Sequence, residues 1–199
     1  MVLYRRRSEK GWLAEISPLG KTSLASIFLA TLLLSSCTTR PDTVKAVSEF
    51  DINRYKGVWY EIMRLDHSFE HGLTNVTATY GIQKNGTVSV LNQGFDREEC
   101  RWEQANGTAR FQGEKTIASL SVSFFWPFSG GYHVFALDKN YKYALVSGPS
   151  LDYLWILGRK PEIKKDVKDK LISKARASGF LVDKLIQVDH SEIPCKPKS

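Results

Sequence analysis

From Gly57 onward, apolar and polar residues alternate with a period of two, in short runs broken by turn residues. The runs fall at 57–65, 75–83, 87–95, 100–112, 117–124, 132–138, 142–147 and 153–159. That period is the signature of a strand with one buried face. Asn85-Gly86, between the second and third runs, is a strong hairpin signal, because both central residues of the favoured turn take positive φ. Eight runs with short connections predict an all-β fold, an eight-stranded antiparallel up-and-down barrel. After residue 159 the period changes to four: Ile163, Val167, Leu171 and Ala175 recur between Pro161 and Gly179. This pattern predicts one C-terminal α-helix docked on the outside of the barrel. Residues 185–188 can add a short final strand, and residues 53–55 a helical turn before the first run.

Alternation also sorts side chains to the two faces. With Trp59 inside, Glu61 and Met63 follow it inward. The other inward residues are Val76, Ala78 and Tyr80, then Val88, Val90 and Asn92, then Leu120, Val122 and Phe124, then Tyr132 and Val134, then Tyr153, Trp155 and Leu157. From this set the candidate ligand contacts are Met63, Ala78, Tyr80, Val90, Asn92, Val122, Phe124, Tyr132, Val134, Tyr153 and Trp155. The lining is apolar and suits a single acyl chain, with Asn92, the tyrosine hydroxyls and Glu61 able to orient a head group. Two loops stand near the predicted mouth: 66–73, and an aromatic loop Phe125-Trp126-Pro127-Phe128 continuing into Ser129-Gly130-Gly131.

One apolar run is of another kind. Residues 23–34 (SLASIFLATLLL) follow Arg5, Arg6, Arg7 and Lys21, and are too short to span a bilayer. They end in Leu34-Ser35-Ser36-Cys37, which resembles the bacterial lipobox. The resemblance implies removal of residues 1–36 and acylation of Cys37. Thr38 stands where an inner-membrane retention signal would have Asp, which implies an outer-membrane, periplasm-facing protein. Residues 37–49 then form the lipidated N-terminus and a polar tether, 50–190 the barrel domain, and 191–199 a tail.

Charge and cysteine count change meaning once the leader is set aside. The whole chain carries +7; the leader takes +3 with it. The dense lysine cluster at 164–174 is interleaved with Asp166 and Asp169, as on a solvated helix face, so no nucleic-acid partner is implied. With Cys37 assigned to lipid, Cys100 and Cys195 remain, and an even remainder in an exported protein suggests one disulfide. Two free thiols or an intermolecular bridge are the alternatives. His67, His71, His133 and His190 show no metal-ligand spacing and no nucleophile–base constellation. The sequence therefore predicts neither an enzyme nor a bound metal or cofactor.

Three motifs carry a family resemblance. Gly57-Val58-Trp59 opens the first strand, Asp152-Tyr153 precedes the eighth, and Arg159 ends it. This pattern resembles the lipocalin family, although Leu151 stands where the second motif has Thr. WYEIMRLDHSFEHGL, NVTATYGI, VLNQGF, VSFFWPFSGGYHVFALD and DYLWILGR are similar to its bacterial outer-membrane branch. The resemblance implies a structural signature of Gly57, Trp59, Asp152, Tyr153 and Arg159, with Arg159 laid over the Trp59 indole at the narrow end. It also implies an outer-membrane lipoprotein that binds and stores or transports fatty acids or lysophospholipids. A homodimer is compatible with that reading. The rival is an envelope scaffold with a filled barrel; a haem carrier ranks lower, because it would need an inward His.

Overall fold

The computed structural model describes residues 39–191, 193 and 195, so the leader and Cys37 lie outside the described residues. A short helix α1 (Ile52–Tyr55) leads into eight strands: β1 (Gly57–Leu65), β2 (Leu73–Ile82), β3 (Val88–Asp96), β4 (Arg101–Phe111), β5 (Ser119–Phe125), β6 (Phe128–Leu137), β7 (Tyr143–Ser147) and β8 (Leu154–Gly158). Helix α2 (Lys165–Ala177), a 3-10 turn (Val182–Lys184) and a short strand β9 (Leu185–Gln187) follow. Each strand runs antiparallel to its neighbour, and β1 pairs with both β8 and β2, which closes the barrel. The expected all-β barrel with one outer helix is therefore the fold. At the β2–β3 turn Gly86 takes φ +81°, as the Asn-Gly signal requires.

Two apolar clusters result from the alternation. The inner one packs the lower part of the barrel around Trp59, Val76, Ala78, Val134 and Trp155. The outer one joins Ile62, Leu145, Leu154 and Ile156 to Ala175 and Phe180, with Ile163 and Leu171 packed against it. The four-residue period of α2 thus matches the apolar outer face of β7, β8 and β1.

The narrow end is closed by Trp59 and Arg159. Trp59 is fully buried and its Nε1 donates to the Tyr55 carbonyl at 2.8 Å. The Arg159 guanidinium lies 4.0 Å over the indole ring. It also donates to the carbonyls of Arg54, Tyr55, Lys56 and Val58 at 2.8–3.0 Å. Gly57 takes φ +94° beside that guanidinium, a conformation that side-chain-bearing residues rarely adopt. Asp152 shapes the β7–β8 turn, where its carboxylate accepts from Ser150 Oγ at 2.9 Å.

The structure departs from simple alternation in three places. First, Met63 is not inward. Between Glu61 and Met63 the β1–β8 register slips by one residue, and both Ile62 and Met63 join the outer cluster. The cause lies in the C-terminal segment: the Ile62 carbonyl accepts from Val188 N at 3.0 Å and Gln187 Nε2 at 2.9 Å. A bulge re-aims every later side chain on the strand, so Arg64 points inward instead.

Second, the segment before Phe50 is not a free tether. Val44 and Ala46 are buried, Val47 bonds to Val134 O and from Ala118 N, and Phe50 N donates to Thr116 O. His133 faces outward as expected, but is buried, with Nε2 3.2 Å from Thr39 O and Nδ1 2.9 Å from Ser119 Oγ.

Third, 125–131 is not a loop. β5 and β6 run to a two-residue turn at Trp126-Pro127, joined by a cis peptide bond, and Ser129 to Gly131 are strand residues. Cys100 and Cys195 are bonded, with Cα atoms 6.0 Å apart, which ties the tail to the β3–β4 turn.

Arg159→Lys should retain the positive charge but lose the multi-pronged carbonyl contacts. We expect a loss of about 2 kcal/mol in denaturant unfolding, the scale of one or two charge-assisted hydrogen bonds. Ligand affinity should be unchanged, because Arg159 sits at the end away from the cavity.

Candidate functional site

The strands leave a cavity of about 370 Å³ in the barrel. Its lower wall comes from Tyr80 on β2, Val90 and Asn92 on β3, Tyr132 on β6 and Trp155 on β8. Val122 and Phe124 on β5 and Tyr153 before β8 form the sides. Phe69, Phe125, Phe128, Ser129, Gly130, Gly131 and Pro149 complete the upper wall and rim. Of the candidate ligand contacts, the structure thus brings together Tyr80, Val90, Asn92, Val122, Phe124, Tyr132, Tyr153 and Trp155. Ala78 and Val134 are inward but sit in the packed cluster rather than on the cavity wall. Met63 lies outside the barrel.

The rim residues were not among those contacts. Phe125, Phe128 and Gly130 sit on strand ends that the Pro127 signal disguised as loop. Phe69 belongs to a segment with no periodicity at all.

The polar groups inside are largely engaged with one another. Tyr55 and Tyr132 hydroxyls are 2.7 Å apart, and Tyr80 donates to Tyr132 at 2.8 Å. Burial pushes the Tyr80 hydroxyl and those of Tyr55 and Tyr132 well up, so all three stay neutral. The tyrosine hydroxyls of the floor are therefore committed to a chain of hydrogen bonds rather than held ready for a head group.

A second polar cluster follows from the β1 bulge. Arg64, now inward and 1% exposed, reaches Glu61 Oε1 at 3.0 Å and the Glu70 carbonyl at 2.7 Å. Glu70 Oε1 lies 3.8 Å from Arg64 and accepts from Trp155 Nε1 at 3.1 Å. Glu61 and Glu70 are both fully buried. Burial pushes both carboxyls up, Glu70 especially, and Arg64 draws them back only in part. Two buried carboxyls facing one guanidinium thus resist being ionised together.

This cluster pins the 66–72 loop over the barrel. Above it His67 stacks on Tyr153 at 4.3 Å and on Phe69 at 5.2 Å. His71 pairs with Asp66 at the loop's exposed edge. The arrangement is a hydrophobic container with a latched loop at its mouth. Its chemistry is that of enclosure: apolar walls, a buried Glu61–Arg64–Glu70 cluster in which one oxygen of each carboxyl lacks a hydrogen-bond partner, and no nucleophile–base pair among the described lining residues.

Comparison with known proteins points the same way. The Lipocalin-like domain family matches residues 50–190. The chain is 47% identical over 163 residues to the outer membrane lipoprotein Blc of Vibrio cholerae, covering 81% of this chain and 95% of that protein. It is 47% identical over 167 residues to outer membrane lipoprotein Blc of Escherichia coli K12, covering 83% and 94%. Among solved structures, insecticyanin from the tobacco hornworm superposes with a TM-score of 0.64 at 20% identity, covering 79% of this chain and 90% of that one. At that identity the likeness is one of fold.

The loop carries a pH prediction. Burial pushes the His67 imidazole down to about 4, so the folded loop favours the neutral ring. Its contribution to stability is complete above the free-imidazole value of 6.5 and is lost as pH falls from there toward 4. Glu61 and Glu70 act with the opposite sign: raised carboxyls contribute most at low pH and lose that contribution as pH rises through their folded values. The difference between wild type and His67→Phe isolates the histidine. Between pH 6.5 and 4, amide protection factors in 66–72, corrected for the intrinsic exchange rate, should fall more in wild type than in the variant; equal profiles would remove His67 from the latch.

Proposed function

Because this chain belongs to the lipocalin family, we propose that its cavity binds one acyl chain of a fatty acid or lysophospholipid, and that the protein stores or carries such lipids in the cell envelope. It is a lipid-anchored protein of the outer membrane. We assign the anchor to Cys37 and place the barrel on the periplasmic side. The family and fold are generally those of binding proteins rather than enzymes.

One observation carries the reading: an internal cavity of about 370 Å³ whose wall is mainly Val, Phe, Tyr and Trp side chains. Ligand sites start at about 300 Å³, so this space suits one slender ligand. It weighs against the rival reading of a barrel filled by its own side chains. Each buried methylene contributes about 0.8 kcal/mol, so affinity should rise with chain length until the cavity is full.

Native mass spectrometry of protein purified from membranes should show a co-purifying lipid. An empty barrel that also fails to take up added fatty acid would remove the proposal.

Gly130 offers a sharper test. It lines the cavity, and a Cβ added there meets no atom within 4 Å. Gly130→Leu should keep the fold and occupy the space of roughly two ligand methylenes, a loss of about 1.6 kcal/mol. That predicts a more than tenfold weaker Kd for palmitate, read by Trp155 fluorescence, with an unchanged Tm. Unaltered affinity would place the ligand elsewhere.

A further inference from the structure

The N-terminal strap ends in an informative place. Thr39 is held by His133 and lies against the β7–β8 turn, with its hydroxyl 3.5 Å from Pro149 O. Pro149 belongs to the cavity wall. In an up-and-down antiparallel barrel alternate turns share an end, so the β1–β2, β3–β4, β5–β6 and β7–β8 turns all surround the mouth. Cys37 precedes Thr39 by two residues, and two residues of extended chain reach about 7 Å. With Cys37 as the acylated residue, the anchor joins the chain no more than about 7 Å from a residue held at the mouth of the barrel, not at the end of a long tether.

The surface at that end is unlike the rest. Trp102, Phe125, Trp126 and Phe128 are the exposed aromatic side chains among the described residues. All four sit at the β3–β4 or β5–β6 turn, the open end. Trp126 is 91% exposed and Phe128 71% exposed. The hairpin that carries them is braced by Ser123 Oγ, which donates to Phe128 O at 2.7 Å. An aromatic patch of this kind marks an interaction surface, and aromatic side chains favour the membrane–water interface.

We propose that the open end of the barrel docks on the same bilayer that holds the acyl anchor, with Trp126 and Phe128 entering the lipid. The proposal rests on the reading of Cys37 as the acylated residue. The anchor supplies affinity, and the aromatic hairpin supplies orientation. Phe125 and Phe128 belong to both the exposed patch and the cavity wall. A lipid can therefore pass from bilayer to cavity along one apolar surface without crossing open water.

The test uses the full acylated protein in vesicles of phosphatidylethanolamine and phosphatidylglycerol. Trp126→Cys introduces a free thiol for the polarity-sensitive label NBD, since Cys100 and Cys195 are bonded to each other and Cys37 is acylated. Asn85→Cys places the same label on the β2–β3 turn at the opposite end. Flotation with the vesicles reports the anchor, and label emission reports orientation. The expected result is flotation of both proteins, with a blue shift at 126, quenching there by acyl-brominated lipid, and neither change at 85.

Failure to float would overturn the anchor and the docking proposal with it. Flotation with position 126 still in water, or with position 85 quenched instead, would leave the anchor standing and overturn the orientation. A blue shift at 126 that grows with protein concentration before vesicles are added would assign the patch to a second copy of the chain, which also overturns the proposal.

Discussion

The structure depends on a single closure. Eight strands form a tube with two ends, and a tube open at both would expose its apolar lining to water. Arg159 and Trp59 seal one end. The guanidinium covers the indole and binds the carbonyls of the chain crossing beneath it from α1 into β1. Those carbonyls belong to a helix end and a turn, and would otherwise lack partners in a confined place. One side chain thus satisfies backbone polarity, fixes the entry of β1 and caps the apolar floor. With that end shut, the interior has one exit, and every feature of the mouth acquires a functional meaning.

A second constraint works from the far end of the chain. The tail reaches back to β1, where Val188 and Gln187 bond to Ile62 O. Asp189 O accepts from Asn75 N, and Asp189 pairs with Arg97 at 2.7 Å. The tail therefore fills the gap where β1 and β2 diverge, and Cys195 secures it to Cys100. The bulge it holds turns Arg64 inward beside Glu61. That buried cluster then holds the 66–72 loop through Glu70 and Trp155. A contact from the last segment of the chain thereby sets the position of the loop over the mouth of the barrel.

These couplings explain what could be read in the sequence. The eight strands were legible because each is half-buried, so a period of two survives in nearly every run. Most of the cavity wall followed from the same rule, from Tyr80 to Trp155. Helix α2 was legible because its partner face is uniformly apolar. The facing of Met63 is not legible because it is decided by residues 187 and 188, and no local pattern in β1 records them. The strap is not legible because its buried residues, Val44 and Ala46, form too short an alternating run between polar neighbours. Phe125 and Phe128 read as loop residues because Pro127 ordinarily ends a strand. Here it sits in the turn itself, where no ladder bond is lost. The Glu61–Arg64 pair did leave a trace, two charges three apart in an otherwise apolar strand, which strict alternation cannot place on one face.

The distribution of satisfied and unsatisfied groups bears on selectivity. Polar residues lie at the floor and beneath the loop, yet the tyrosine hydroxyls bond to one another and Arg64 is surrounded by carboxyls. A binding site that distinguishes head groups keeps polar atoms free for the ligand, since leaving them unpaired is what penalises the wrong one. Here the tyrosine hydroxyls and Arg64 are committed, and the oxygens without a partner, on Glu61 and Glu70, lie beneath the loop, so discrimination falls mainly to the shape and length of the apolar space. Chain length, bends and bulk near Gly130 would be read closely, while the head group would sit near the rim. A container of that kind suits a range of slender apolar ligands better than one defined molecule. On the proposed docking, ligand exchange would depend less on recognition than on how the mouth meets the membrane.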